Sequence, residues 1–191
     1  QRPQIGRDDP VLPGWIYFQP RMIARRAEKG RQHGAAHHAA DDARLALVAD
    51  TKLTPHRALA TVGADGAPSI RTVLAKGIDD DGAVAFYTNT ESLKGRELAA
   101  NPAAAACFYW RQLGRQIRLE GETRLIDEAE ADAYFASRPR GSQIGAWASA
   151  QSEVLASREA LEQQVIQVEA RFADGEVTRP PHWSGYWLKP R

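Results

Sequence analysis

A single cysteine among 191 residues excludes an internal disulfide, so packing must hold this chain together. That residue, Cys107, lies in the apolar run AAAACFYW and reads as a small buried hydrophobe rather than a nucleophile. The early part of the chain lacks the apolar core of a signal peptide, being interrupted by Arg, Asp and Pro. No window approaches the roughly 18 apolar residues that a membrane helix needs. The expectation is a soluble, cytoplasmic protein. Neither charge is in excess: 25 Lys and Arg against 24 Asp and Glu leave +1, which removes any bulk argument for nucleic acid or a membrane as partner. Anion recognition must therefore be local.

Also absent are a glycine-rich phosphate loop, a dinucleotide fingerprint, a Gly-x-Ser-x-Gly elbow and zinc-ligand spacing. His33, His37 and His38 stand in an Ala/Gly-rich stretch without a nearby cysteine, so no metal site is expected; His56 and His182 stand alone. These exclusions leave a flat, phosphorylated cofactor held by strands as the main possibility.

What is present is an ordinary globular mixture, 43% apolar and 26% charged, enough for one domain with a real core. Residues 1–38 differ: seven Lys and Arg up to Arg31 face three acids, and the apolar residues follow no period. They read as a basic N-terminal arm, packed on a partner or simply solvated. Residues 39–191 read as the domain. Asp41 or Asp42 can cap a helix carrying Leu45, Leu47 and Val48. Strands are expected at 57–63, 69–77, 83–88, 103–110 and 115–126, with Asp65-Gly66 and Asp81-Gly82 as tight turns. Helices are expected at 91–100, from Asp127 to about Ser137 with Glu130 as capping partner, at 141–149, and at 156–172 with Leu161, Val165, Val168 and Phe172 on one stripe. Strands joined by short turns with helices between predict an α+β fold whose antiparallel strands close into a small barrel with flanking helices.

Three stretches could carry chemistry. In Arg71-Thr72-Val73-Leu74-Ala75-Lys76, strand alternation puts Arg71, Val73 and Ala75 opposite Thr72, Leu74 and Lys76. A cation near each end with apolar residues between suits a flat ring with an anionic tail, although the segment alone favours two surface charges on a half-exposed strand. Lys94 and Arg96 follow Ser92 at a helix start, a natural phosphate seat, but short basic surface helices are common. The richest stretch is YFASRPRGSQIGAWAS, where Tyr134, Arg138, Arg140 and Ser142 surround a Pro/Gly turn. Arginine grips phosphate bidentately while hydroxyls fill the remaining acceptors, and a structural turn would not need two arginines.

The motifs RTVLAKG, FYTN with SLKGREL, NPAAAACFYW, RQIRLEG, YFASRPRGSQIGAWAS with AQS, and RPPHWSGY occur in the order seen in pyridoxamine 5′-phosphate oxidases, a resemblance covering roughly residues 53–187. It implies an FMN-binding split barrel, working as a homodimer with two FMN sites at the subunit interface. By position, FMN would meet Arg71, Thr72, Val73, Leu74, Lys76, Tyr87, Thr88, Lys94, Gln116, Gln151 and Ser152. The substrate phosphate would meet Lys76, Tyr134, Arg138 and Ser142. The implied reaction converts pyridoxine or pyridoxamine 5′-phosphate to pyridoxal 5′-phosphate, with hydride transfer to the flavin and reoxidation by O2 giving H2O2.

Two departures from the family pattern stand out. Leu93 occupies a usually basic position before Lys94, so one FMN phosphate contact is expected to be missing. The family usually continues past its GY-containing strand into a segment with substrate-contacting Arg and His and flavin-contacting Trp and Arg, which this sequence is expected to lack; no catalytic residue is assigned. The alternatives are a non-catalytic FMN- or pyridoxal-phosphate-binding protein and a flavin oxidoreductase with another small aromatic substrate.

Overall fold

The computed structural model describes residues 56–110, 114–173 and 175–191. The basic arm, the helix after Asp41, the clustered histidines and residues 111–113, between two of the expected strands, lie outside them.

Six strands form one closed antiparallel barrel: β1 (His56–Val62), β2 (Pro68–Ile78), β3 (Val84–Asn89), β4 (Ala103–Trp110), β5 (Arg115–Leu125) and β6 (Trp183–Pro190), in the order β1-β2-β3-β6-β5-β4. Among the described residues, four helices flank it: α1 (Leu93–Ala100), α2 (Glu128–Ala136), α3 (Arg140–Ala148) and α4 (Arg158–Phe172). The architecture is thus the expected α+β split barrel. The five strands of the sequence pattern need β6 to close the ring, where it pairs with β3 on one side and β5 on the other. Among the described residues no helix is long and apolar enough to cross a membrane.

Local chemistry explains the hairpins. Gly66 and Gly82 take φ of 81° and 80°, a region in which glycine meets no Cβ penalty. Asp65 and Asp79 close the two turns by accepting from the backbone N–H of Ala67 (3.0 Å) and Ala83 (2.8 Å). Ser92 caps α1 and Asp127 caps α2, each accepting from the N–H three residues on. Only half of the expected capping box forms at α2, because the Glu130 carboxylate instead accepts from the Trp187 indole N–H at 3.2 Å.

The barrel core is built from Leu59, Phe86, Phe108, Trp110, Leu119 and Leu188 with their neighbours. On β4 the inward positions fall to Ala104, Ala106, Phe108 and Trp110, so Cys107 points outward and is only half-buried, not fully buried as expected. Burial pushes its thiol pKa up, against the character of a nucleophile. A second cluster, around Phe135, Ile144, Val177 and Trp183, docks the helices; Val165, Val168 and Phe172 of the α4 stripe pack against it. The long β2 strand alternates as expected, with Ala75 buried and Thr72, Leu74 and Lys76 exposed. Its register with β3 shifts between Ala75 and Gly77, which leaves Lys76 as the extra residue of a bulge and lets the strand re-aim that side chain.

Candidate functional site

The exposed face of β2 and the end of β3 make one wall of a cleft of about 270 Å³. Thr72, Val73, Leu74 and Lys76 come from β2, Tyr87 and Thr88 from β3, and Lys94 from the first turn of α1. Tyr134 of α2, then Arg138 and Gln151 from the segments flanking α3, and Trp183 at the start of β6 complete the lining.

At one end sits a cationic seat. Lys94 is buried, and its Nζ donates to Gln151 Oε1 (2.8 Å), Thr88 Oγ1 (3.1 Å) and Ser92 Oγ (3.2 Å). These partners are all neutral. Burial, and next the charge of Arg71, bring its pKa down to about 8 against a smaller opposing pull from Glu97. The chain reaches this geometry through Gly95: a Cβ there would lie 2.0 Å from the Thr90 carbonyl oxygen, so only glycine lets the first turn of α1 close over that backbone.

At the other end, aromatic rings stack. Tyr87 lies 3.9 Å from Tyr134 and 5.3 Å from Trp183, centroid to centroid, with planes within 16°. Arg138 lays its guanidinium over Trp183 and, more distantly, over Phe135. Its Nη1 is buried and has no hydrogen-bond partner, and burial lowers its pKa. Tyr87 is pushed up to about 12, first by burial and then by Glu130, so it stays a phenol across the physiological range.

Not every residue implied by the resemblance meets here. Arg71 is turned into the barrel mouth, where Nη2 pairs with Glu97 Oε2 at 2.9 Å. Gln116 lies on β5 opposite Tyr109, away from the cleft lining. Ser152, in a left-handed conformation with φ of 73°, lines a separate hollow beneath α4. Ser142 is exposed in the first turn of α3 and does not line the cleft. Of the two arginines flanking Pro139, only Arg138 reaches the cleft; Arg140 donates to the carbonyls of Gly175 (2.7 Å) and Ala173, tying α3 to the end of α4. Trp183 was missed as a site residue: it sits within RPPHWSGY, but only the β3–β6 pairing brings it beside Tyr87.

The donor set fits a phosphorylated, flat ligand such as FMN. Lys94, Thr88 and Gln151 offer a polar pocket for a phosphate, Val73, Leu74 and Tyr87 offer apolar walls for a ring system, and Arg138 holds an unpartnered donor for a second anion.

A sequence model of the family described as pyridoxamine 5′-phosphate oxidase matches residues 46–172. The chain is 58% identical over 133 residues to a pyridoxine/pyridoxamine 5′-phosphate oxidase of Rhizobium etli, a match covering 70% of this chain and 64% of the relative. A Myxococcus xanthus protein of the same name is 58% identical over 132 residues, covering 69% and 64%. The matches thus span just under two thirds of these relatives' length. Among solved structures, PhzG from Burkholderia lata, in complex with tetrahydrophenazine-1-carboxylic acid, superposes with a TM-score of 0.71 at 33% identity, covering 81% of this chain and 76% of that one. A pyridoxamine 5′-phosphate oxidase-related, FMN-binding protein from Nostoc punctiforme shares the fold, with a TM-score of 0.57 at 21% identity over 85% and 82% of the chains.

Proposed function

The chain belongs to the pyridoxamine 5′-phosphate oxidase family, and we propose that it binds FMN in this cleft to oxidise pyridoxine or pyridoxamine 5′-phosphate to pyridoxal 5′-phosphate. The observation that carries this reading is two cationic seats in one cleft, Lys94 and Arg138 with its unpartnered Nη1, together with apolar and aromatic walls. One seat suits the cofactor phosphate and the other the substrate phosphate.

FMN, when bound, supplies the two-electron acceptor, and dioxygen is the final oxidant, leaving as hydrogen peroxide. The rest falls to the chain. Lys94, with Thr88 and Gln151, holds the cofactor phosphate, while Val73 and Leu74 flank the ring. Arg138, held flat by Trp183, grips the substrate phosphate together with Lys76 and the Tyr134 hydroxyl. Fixing the phosphate orients the ring it carries, converting a collision into a positioned encounter.

The working unit in this reading is a homodimer. Ile70 and Leu74 on β2 are exposed apolar residues, 71% and 37% accessible, on the same outward face as the cleft. A second copy seated there would cover them and could bring Gln116 toward the cofactor.

A second reading is favoured by the similarity to PhzG: oxidation of another reduced aromatic compound, a ring carboxylate taking the place of the substrate phosphate at Arg138. The deciding experiment is the visible spectrum of FMN-loaded protein without oxygen. Bleaching of the flavin band on adding pyridoxine 5′-phosphate supports the first reading. A band that bleaches only with a reduced aromatic carboxylate supports the second, and one that bleaches with neither indicates a binding protein.

A further inference from the structure

Behind Lys94, at the barrel mouth, lies a carboxylate that the sequence motifs did not single out. Glu97, one turn further along α1, is only 7% exposed. It accepts from Ser69 Oγ at 2.6 and 2.7 Å, from Thr61 Oγ1, and from Arg71 Nη2 at 2.9 Å. Arg71 in turn donates to those same two hydroxyls and to the Leu59 carbonyl. Thr61 and Ser69 therefore bridge the ion pair, each placed between guanidinium and carboxylate.

A buried negative charge behind an anion seat is at first sight misplaced, since it repels a phosphate. Its use becomes clear from the cations. The charge of Arg71 acts on Lys94, which is itself partnered only by neutral groups. Without Glu97, an Arg71 still held by Thr61 and the Leu59 carbonyl would press its full charge on Lys94 and favour the neutral amine.

We propose that Glu97 is a positioning residue for the anion seat: it anchors the Arg71 guanidinium against the barrel wall and, by neutralising it, keeps Lys94 charged as the cation presented to a phosphate. This rests on reading the cleft as the flavin phosphate seat. Burial raises the Glu97 pKa, but the Ser69 and Thr61 hydroxyls and Arg71 outweigh it and hold the carboxyl below its usual value, so the counter-charge persists at neutral pH. The other ionisable groups lining the cleft are Lys76 of β2, Tyr87 of β3, and Tyr134 and Arg138 of α2 and the turn after it. Arg71 and Glu97 are the ones whose charges act on Lys94.

The test is the dissociation constant of FMN, followed by flavin fluorescence quenching in the full chain between roughly pH 6.5 and 9.5, a range spanning the lowered lysine value. Wild-type affinity should fall as pH rises through about 8, where Lys94 loses its proton. In Glu97→Gln the fall should begin at lower pH than in wild type, because an attractive charge is gone. In the double variant Arg71→Gln/Glu97→Gln it should begin higher, since the Arg71 effect on Lys94 exceeds that of Glu97. The double variant leaves neither charge buried alone, and carries the test if Glu97→Gln does not fold. Uniform weakening with the fall unmoved would mean that Glu97 only supports the fold, and would overturn the inference. Wild-type protein that binds no flavin would overturn the cleft reading and this inference together, whereas wild-type binding with unmoved variants overturns the inference alone.

Discussion

Arg138 lays its guanidinium 4.7 Å from the centroid of the Trp183 ring and leaves Nη1 buried with nothing to donate to. An unmade buried hydrogen bond costs about 1–3 kcal/mol, which a phosphate oxygen would recover. The cation–π contact holds the planar fork in place before any ligand arrives.

Arg138→Ala should therefore raise the KM for pyridoxine 5′-phosphate by roughly 10- to 150-fold, the equivalent of about 1.5–3 kcal/mol for a charge-assisted bond. FMN affinity, which the proposed reading assigns to the Lys94 end, should change little. Arg138→Lys should recover only part of the loss, because an ammonium cannot reproduce the planar fork or stack as well. Steady-state kinetics beside a flavin titration check both. Equal losses of FMN and substrate would place Arg138 in the wrong seat.

Trp183 joins two roles. It stacks with Tyr87 and Tyr134 and meets Phe135 edge-on, within the cluster that docks the helices. Trp183→Ala should destabilise the protein by about 3–5 kcal/mol, read from urea unfolding. Trp183→Phe should retain most of the stability yet raise the substrate KM, since a smaller face supports Arg138 less well. A Phe variant with unchanged KM would separate the stacking from the binding.

Gly185 of β6 pairs with Tyr87 of β3. A Cβ there would lie 2.7 Å from both Ile126 Cδ1 and Tyr87 Cδ1, and 2.8 Å from the Phe86 carbonyl oxygen. Two of these neighbours are side chains, but the third is ladder backbone, so the strand itself must move. Gly185→Ala should cost about 1–3 kcal/mol, the usual range for overpacking. Gly95→Ala should be worse, since its Cβ would meet only the Thr90 backbone, at 2.0 Å. Thermal melts of the two variants test the order.

Lys94 also couples stability to pH. Its folded value of about 8 lies below the ordinary 10.5, so between these limits the unfolded chain binds the extra proton. Stability from this group therefore rises with pH from about 8 to about 10.5, and is flat outside that window. Ligand-free Lys94→Met should be more stable than wild type at neutral pH, with the gap closing toward alkaline pH, and should bind FMN much more weakly. Denaturant midpoints of both proteins, taken without ligand at several pH values, provide the measurement.

Much of this molecule was legible in its residues. The Asp-Gly turns, the alternation of β2 and the caps Ser92 and Asp127 act within a few positions, so their chemistry is written locally and the strands and helices follow within a residue or two. Among the cleft-lining candidates, the β2 residues and Lys94 were picked out by local pattern, whereas Tyr87 and Thr88 came only through the family resemblance. Other outcomes depended on partners distant in sequence. Local pattern could set the face of Arg71 but not its partner, because Glu97 reaches it only when α1 folds back over β1 and β2. Arg138 and Arg140 are two residues apart and chemically alike, yet one lines the candidate cleft and the other ties α3 to the end of α4, a choice made by how α3 meets α4. Trp183 joins the site because β6 pairs with β3 across nearly a hundred residues of chain. Local sequence thus determined the first five strands and the four described helices, through turn and cap chemistry that acts over short range, but not β6. Tertiary structure decided which side chains share a cleft, because long-range pairing sets where each strand end and each long side chain finally lies.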